Sequence, residues 1–288
     1  MDPMLPPPRL TQARAPLTQD VSVLDEFGAT RQITIPAERA LTVFVDKREL
    51  VTLMTLGASP ELLVLGYLRN QRLVDSVADI ESITVDWDVA AAAVKTRAGI
   101  EQFDAKTARR VVTTGCGQGT VFGDMMGDLD RISLPPANDP SARLSQHALY
   151  GLLNAVRLQE STYKSAGSVH GCALFRQDEL LTFVEDVGRH NAIDTIAGWM
   201  WLNGVAGGDK IFYTTGRLTS EMVIKSAQMG VPVIVSRSGI TQMGHALANQ
   251  LGLCLFGRAT NRHFICYSGF DRFDSQPEPV RGVVGAAG

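Results

Sequence analysis

The chain has 288 residues, of which 45% are hydrophobic, 20% charged and 7% aromatic, with a formal net charge of -3 and a pI near 6.0. This leaves room for one large or two smaller hydrophobic cores. It excludes a general nucleic-acid binder, which needs a basic excess to neutralise phosphates. No run of ~18 apolar residues appears, so no membrane span is expected.

Met1 to Gln19 is rich in Pro, lacks apolar periodicity and has no basic start followed by an apolar stretch, so it does not read as a signal peptide. Residues 1–30 are expected to be a disordered tail. Residues 31–135 read as a β-rich domain. Leu41 to Val45 alternates apolar and polar before a turn at Asp46-Lys47, and Val51 to Met54 supplies a partner strand. Ile83, Val85, Trp87 and Val89 alternate again, and Val111 to Thr114 is a short strand. One helix interrupts them over Glu61–Arg69, with Ser59 placed to cap it and Pro60 suited to its first turn. A glycine loop over 115–123 and a polar connector over Ser133–Ser141 end this domain.

Residues 136–288 switch to alternating helix and strand. Leu149, Leu152, Leu153 and Val156 share one face of a helix over 145–159. Strands over Val169–Phe175 and Leu180–Glu185 flank a tight turn at Gln177-Asp178. A helix over Asn191–Leu202, a strand over Ile211–Thr214 and a helix over Ser220–Met229 follow, the last stopped by Gly230. A strand over Val231–Ser236, a helix over Thr241–Leu251 and strands over Leu253–Phe256 and Phe264–Tyr267 complete the pattern. A hairpin followed by crossover units predicts a mixed sheet with helices on both faces. The expected class is therefore α/β: a C-terminal α/β/α domain with the element order of the cytidine-deaminase-like fold, and a smaller β-rich N-terminal domain.

Zinc deaminases need His-x-Glu at one helix start and Pro-Cys-x-x-Cys at the next. Here the corresponding stretches read His190-Asn191-Ala192 and Thr215-Gly216-Arg217-Leu218-Thr219, without the glutamate or the thiols. No zinc or other metal site is expected. What stands there instead is a glycine, an arginine and a helix start, twice: Gly188-Arg189-His190 and Gly216-Arg217. Both fall at carboxyl ends of strands, where open α/β sheets bind ligands. The pair points to a phosphate or pyrophosphate ligand, with Asp186 and Asn191 as caps and the arginines as surface charge being the plainer reading. His170, approached by Gly167, reads equally as a structural group or a catalyst, and Lys225 as a solvated helix face.

Of the four cysteines, Cys254 and Cys266 read as small hydrophobes in strands, and no C-x-x-C pair occurs. Cys116 differs, since Gly115, Gly117 and Gly119 surround it. Such a setting leaves the thiol accessible and offers backbone N–H groups that lower its pKa. A tight structural turn with an incidental Cys would have the same sequence.

The string Glu185-Asp186-Val187-Gly188-Arg189-His190-Asn191-Ala192-Ile193-Asp194 resembles the signature of the formate dehydrogenase accessory sulfurtransferases, the FdhD/NarQ family. Thr214-Thr215-Gly216-Arg217 with Glu221 and Lys225, then Gly230-Val231-Pro232-Val233, repeats that family's order, as does Gly115-Cys116-Gly117 upstream. The resemblance runs from about Thr42 to Tyr267. It implies a cytoplasmic homodimeric sulfurtransferase whose Cys116 accepts persulfide sulfur from a cysteine desulfurase. The sulfur would pass to the molybdenum bis(molybdopterin guanine dinucleotide) cofactor destined for formate dehydrogenase. It places cofactor contacts near the last strands, on Arg258, Ala259, Thr260, Asn261, Arg262 and His263, and the expected cofactor-binding set also includes His170, Arg189, His190, Gly216 and Arg217. Two departures stand out. Gly119 occupies the place of a second loop cysteine found in many members, so a relay here runs on Cys116 alone. The late Gly-Phe-x-Arg-Gly pattern is replaced by Gly257-Arg258 with Thr260 and Asn261. A non-catalytic cofactor-binding chaperone is the first rival reading. A thiol hydrolase pairing Cys116 with His170 or His190 is the second.

Overall fold

A computed structural model of the chain describes residues 6–100 and 129–276. The expected strand at Val111–Thr114 and the glycine loop with Cys116 and Gly119 lie outside the described residues.

The N-terminal half is built on a five-stranded sheet in the order β1-β6-β7-β4-β5. Its strands are β1 (Arg9–Leu10), β4 (Arg39–Val45), β5 (Arg48–Thr55), β6 (Ile80–Asp86) and β7 (Ala91–Thr96). Alternate residues Leu41, Val43, Val45, Leu53, Ile83, Val85, Ala92 and Val94 face inward. They meet Leu63, Val64, Tyr67 and Leu68 of helix α1 (Pro60–Asn70). Pro60 opens α1 as expected, but the Ser59 hydroxyl makes no capping bond. Strand β7 escaped the sequence reading because its Ala-Ala-Ala start has no β signature, and β6 stops at Asp86, leaving Val89 exposed in the turn.

The expected disordered tail over 1–30 is corrected over its described part. Leu10 and Ala13 pack against the N-terminal core, the Ala13 N–H donates to Glu61 Oε1 (2.7 Å), and the Thr11 hydroxyl accepts from the Val85 N–H (2.8 Å). These backbone bonds hold a segment whose proline content masks its sheet pairing. Beyond it, β2 (Thr18–Leu24) and β3 (Thr30–Pro36) form a separate hairpin. Its turn is closed by Asp25 Oδ1, which accepts from Phe27 and Ala29 N–H, and by Gly28 at φ +78°.

In the C-terminal half, helix α2 (Gln146–Leu158) and the short helix α3 (Thr162–Ala166) precede a six-stranded mixed sheet. Its order is β10-β9-β11-β12-β13-β14. The strands are β9 (His170–Arg176), β10 (Glu179–Asp186), β11 (Ile211–Thr214), β12 (Val233–Ser236), β13 (Cys254–Thr260) and β14 (His263–Ser268). A two-residue strand β8 (Leu144–Ser145) pairs with β15 (Phe273–Asp274) beside it. One sheet face, carrying Ala173, Phe175, Ile211, Tyr213, Val233 and Phe256, packs under α2. The other, carrying Cys172, Leu174, Phe212, Ile234 and Leu255, packs under α4 (Arg189–Leu202), α5 (Ser220–Gln228) and α6 (Gln242–Leu251). This is the α/β/α layering that the element order predicts. Gly230, at φ +76°, follows the end of α5 as expected. No helix among the described residues is long and apolar enough to cross a membrane.

The two halves meet where α1 crosses α4. A Cβ on Gly66 would lie 1.6 Å from Asp194 O, and one on Gly198 would lie 2.0 Å from Leu62 O, so only glycines permit this backbone-to-backbone approach. Beside the crossing, Asp194 accepts from Asn70 Nδ2 (2.7 Å) and from Lys225 Nζ (2.8 Å), and all three residues are buried to 0% exposure. Lys225 is therefore no solvated face, as its helix pattern suggested, but half of a buried ion pair. Asp186 forms a second seam. Its Oδ2 accepts from Thr55 Oγ1 (2.5 Å) and Leu56 N–H (3.0 Å), and its Oδ1 from Gly188 N–H and Asn191 Nδ2. Asn191 Nδ2 also donates to Met54 O (2.6 Å).

Because the Gly198 clash is with backbone, Gly198→Ala is expected to destabilise by roughly 3 kcal/mol or more, the upper range for overpacking. That corresponds to a fall in Tm of roughly 6–12 °C for a chain of this size, read by circular dichroism. Gly239→Ala, where an added Cβ meets nothing within 4 Å, serves as the neutral control.

Candidate functional site

Strands β10, β11, β12 and β13 run in one direction, because β9 is antiparallel to both β10 and β11 and the rest pair in parallel. Their carboxyl ends at Asp186, Thr214, Ser236 and Thr260 therefore share one edge of the sheet, and β9 begins there at His170. The backbone after β11 and β12, and the start of β9, is held by hydroxyls at these strand ends. Thr214 Oγ1 accepts from Gly216 N–H (3.0 Å), Thr215 Oγ1 accepts from Gly171 N–H (3.0 Å), and Ser236 Oγ donates to Gly216 O (2.7 Å) and accepts from Ser238 N–H (2.9 Å).

Five of the residues singled out from sequence gather on this edge. His170 Nδ1 lies 3.4 Å from Thr215 Oγ1. The Arg189 side chain lies across Gly216, where a Cβ would come within 2.9 Å of its Cδ. Burial first, then the charges of Arg189 and Arg217, hold the His170 pKa below its usual value. Arg217 itself is exposed. His190 is 4% exposed, and its Nε2 sits 3.2 Å from Glu221 Oε2, joining the starts of α4 and α5. Burial, followed by Lys225, Arg189 and His170, pushes the His190 pKa down to about 2, so the ring is neutral. Donating its Nε2–H to Glu221 leaves Nδ1 as a lone-pair acceptor. Among the described residues that buried atom has no hydrogen-bond partner.

Glu221 also changes the expectation of two equivalent anion loops. It stands in the first turn of α5, so this helix start already has a carboxylate beside its positive dipole end. The start of α4 has none in its first turn. Asp186 and Asn191, read as caps, hold the seam between the halves as well as the turn into α4.

Next to this cluster, on the side of Gly171 and Thr215, lies a cavity of ≈ 360 Å³. Ala259, Thr260 and Asn261 line it, with Asn261 at φ +52° turning β13 into β14. Arg258, Arg262 and His263 do not line it. The Arg258 N–H donates to Ser238 O (2.7 Å), Arg262 rests 5.7 Å from the Tyr150 ring, and His263 is exposed.

The sequence reading missed the cavity's charge and rings. Arg157, Lys164 and Arg237 supply three cations, and Tyr163, Phe183 and Tyr213 three aromatic rings. The Arg237 guanidinium lies 6.0 Å from the Tyr163 ring centroid. Burial pushes the Tyr213 pKa up to about 12, which keeps its hydroxyl protonated. Among the described residues the single acidic lining residue, Glu185, accepts from Thr162 N–H (2.5 Å) and Tyr163 N–H (3.1 Å) and so ties α3 to β10. Arg237 had a legible signal, since it follows β12 as Thr215 follows β11. Arg157 and Lys164 had none. Three cations and three rings in a cleft of this volume suit a planar heteroaromatic ligand with an anionic tail.

Among the described cysteines, Cys172 and Cys254 are fully buried. Burial pushes the Cys172 thiol up to about 12, and donating its S–H to Cys266, together with burial, raises the pKa of Cys254. Cys266 is part-buried rather than buried, and its contact with Cys254 holds its pKa below the usual value.

Comparison with known proteins adds to this geometry. A family model described as the FdhD/NarQ family matches residues 36–274. A curated protein of Listeria innocua named sulfur carrier protein FdhD is 29% identical over 250 residues, covering 86% of this chain and 95% of its own. The Bacillus subtilis protein of the same name is 29% identical over 245 residues, covering 85% of this chain and 89% of its own. A crystal structure of a protein assigned as a formate dehydrogenase accessory protein, from Desulfotalea psychrophila, has the same fold. Its TM-score is 0.71, with 24% identity over 90% of this chain and all of that one.

The neutral His190 has a thermodynamic consequence. Its folded pKa lies below the unfolded value of 6.5, so its contribution to stability is complete above that pH and is lost as pH falls below it. Urea unfolding at pH 7.5 and pH 5 is expected to show a loss for the parent that exceeds that of His190→Gln by on the order of 1–2 kcal/mol.

Proposed function

The chain belongs to the FdhD/NarQ family, and from that premise we propose that it is a single-cysteine sulfur carrier for formate dehydrogenase. Cys116 accepts sulfur from a cysteine desulfurase as a persulfide. It delivers that sulfur to the molybdenum bis(molybdopterin guanine dinucleotide) cofactor, which is a recipient here and not a resident group. The protein works in the cytoplasm as a homodimer, on a cytidine-deaminase-like framework without that fold's zinc ligands.

The observation that carries the recipient half of this reading is the cavity at the strands' carboxyl edge. Its rings suit a guanine base, and Arg157, Lys164 and Arg237 suit the pyrophosphate. Thr260 and Asn261 fall within the segment that the family resemblance assigns to cofactor contact. Arg189 and the start of α4, next to Thr215, extend the positive field from the same edge. His190 Nδ1 is a buried acceptor for a ligand N–H or S–H. The donor half rests on Cys116, the one cysteine set among glycines in the sequence. His190, buried and engaged with Glu221, is poorly placed for the general-base role that a thiol hydrolase would require.

Incubation with a cysteine desulfurase and cysteine is expected to add about 32 Da, one sulfur atom, to the intact protein. The gain is lost in Cys116→Ser and retained in Cys266→Ser. Absence of added sulfur on Cys116 leaves the cofactor-binding chaperone, which Gly119 in place of a second cysteine favours, as the correct reading.

Guanosine diphosphate binding, measured by calorimetry, is expected to weaken about tenfold or more in Arg237→Ala and in Arg217→Ala, as for the loss of one charge-assisted hydrogen bond. Unchanged affinity in both variants would assign these arginines to the surface.

A further inference from the structure

One wall of the cavity at the carboxyl edge is the short helix α3. Ser161, Tyr163 and Lys164 of this segment line the cavity, yet none of the five helical residues is buried. A helix of little more than one turn, with no buried face, has no stability of its own. Polar contacts hold it instead. The Ser161 hydroxyl accepts from Lys164 N–H (3.2 Å). The Glu185 carboxylate, on β10, accepts from Thr162 N–H (2.5 Å) and Tyr163 N–H (3.1 Å). The Arg237 guanidinium, which follows β12, lies 6.0 Å from the Tyr163 ring centroid.

The exit from α3 is suited to turning. Gly167 stands at φ +67° and ψ -163°, a region open essentially to glycine alone. Ser168 follows at φ +52°. A Cβ on Gly167 would meet nothing within 4 Å, so backbone conformation rather than packing calls for glycine there. Two successive left-handed residues at the end of an unburied helix are the kind of place where hinge angles are absorbed.

Glu185 is at odds with its surroundings. Among the described residues it is the one acidic group in a wall that Arg157, Lys164 and Arg237 make cationic. A carboxylate repels an anionic ligand, so ligand contact does not account for it. Its two bonds to α3 do. Each oxygen takes one N–H of the first turn and so sets where Tyr163 and Lys164 stand in the wall.

We propose that α3 is a hinged wall of the cavity, turning at Gly167-Ser168, and that Glu185 is the positioning residue that holds it closed on an anionic heteroaromatic ligand. This rests on the reading of the cavity as a guanine-nucleotide site. In the closed position the Tyr163 ring covers the base and Lys164 meets the phosphates, and both contacts are made or lost together. The competing explanation is that Glu185 only caps a static turn.

Hydrogen–deuterium exchange of the full-length protein, read by mass spectrometry over residues 160–168 with and without guanosine diphosphate, decides between them. In the parent, the nucleotide at about ten times its Kd is expected to slow exchange there about tenfold. A static turn exchanges at the same rate in both states. Glu185→Ala is expected to weaken nucleotide binding about tenfold by calorimetry, through faster dissociation, and to abolish the slowing over 160–168. Exchange in β11 and β12 is expected to stay as in the parent. Glu185→Gln keeps one acceptor oxygen for the two N–H groups, so its affinity is expected to fall between the two, and it serves if alanine disturbs folding. The hinged wall is overturned, and the cavity reading left standing, if the nucleotide binds without changing exchange over 160–168 or binds Glu185→Ala as tightly as the parent. Failure of the parent to bind guanosine diphosphate overturns both.

Discussion

Helices α1 and α4 cross with backbone against backbone, and this contact fixes the two halves of the described structure against each other. Gly66 and Gly198 permit it, and Asp194 locks it by accepting from Asn70 on one side and Lys225 on the other, all out of water. A buried carboxylate between a buried ammonium and an amide leaves little freedom, since removing any partner strands a polar group in a dry interior. Asp186 repeats the principle one turn before α4, where it receives Thr55 and Leu56 from the other half. The string around Glu185 to Asp194 is thus largely architectural. Glu185, Asp186, Asn191 and Asp194 hold elements together, and Arg189 and His190 are presented at the ligand edge as a result.

The chain as a whole is slightly acidic, yet three cations line the cavity at the carboxyl edge, because net charge constrains solubility and non-specific binding and says little about a local field. At the start of α4 the cations stand beside aromatic rings and a neutral imidazole, and burial rather than any one neighbour sets the states of His190 and Tyr213. The two helix starts that look alike in sequence are not equivalent. Glu221 holds His190 and occupies the first turn of α5, which leaves α4 as the start open to an anionic ligand.

Much of the scaffold is legible in the sequence. The period-two and helical patterns from Leu149 to Tyr267 match the observed elements to within a few residues, because alternation and capping are local properties of the chain. Gly230 is legible for the same reason, since a left-handed residue at a helix end favours glycine. Local reasoning fails where pairing overrides it. Ala91 to Thr96 becomes a strand because β4 and β6 lie on either side of it, and the proline-rich start gains a sheet partner in β6. Lys225 looks like a surface residue on its helix, and only the fold turns it toward Asp194.

The candidate site divides in the same way. The sequence by itself determined which loops meet at the carboxyl edge, through the strand-loop-helix order around Gly188 and Gly216, and it singled out Cys116 through its glycine neighbours. It also placed Thr260 and Asn261 beside those loops by resemblance. Only the tertiary structure decided that Arg157, Lys164 and Arg237 converge on one cavity and that Arg258 and Arg262 turn away from it. The reason is physical. Secondary structure answers to neighbours within a few positions, whereas the partner of a buried charge such as Asp186 lies 131 residues away and is chosen by packing.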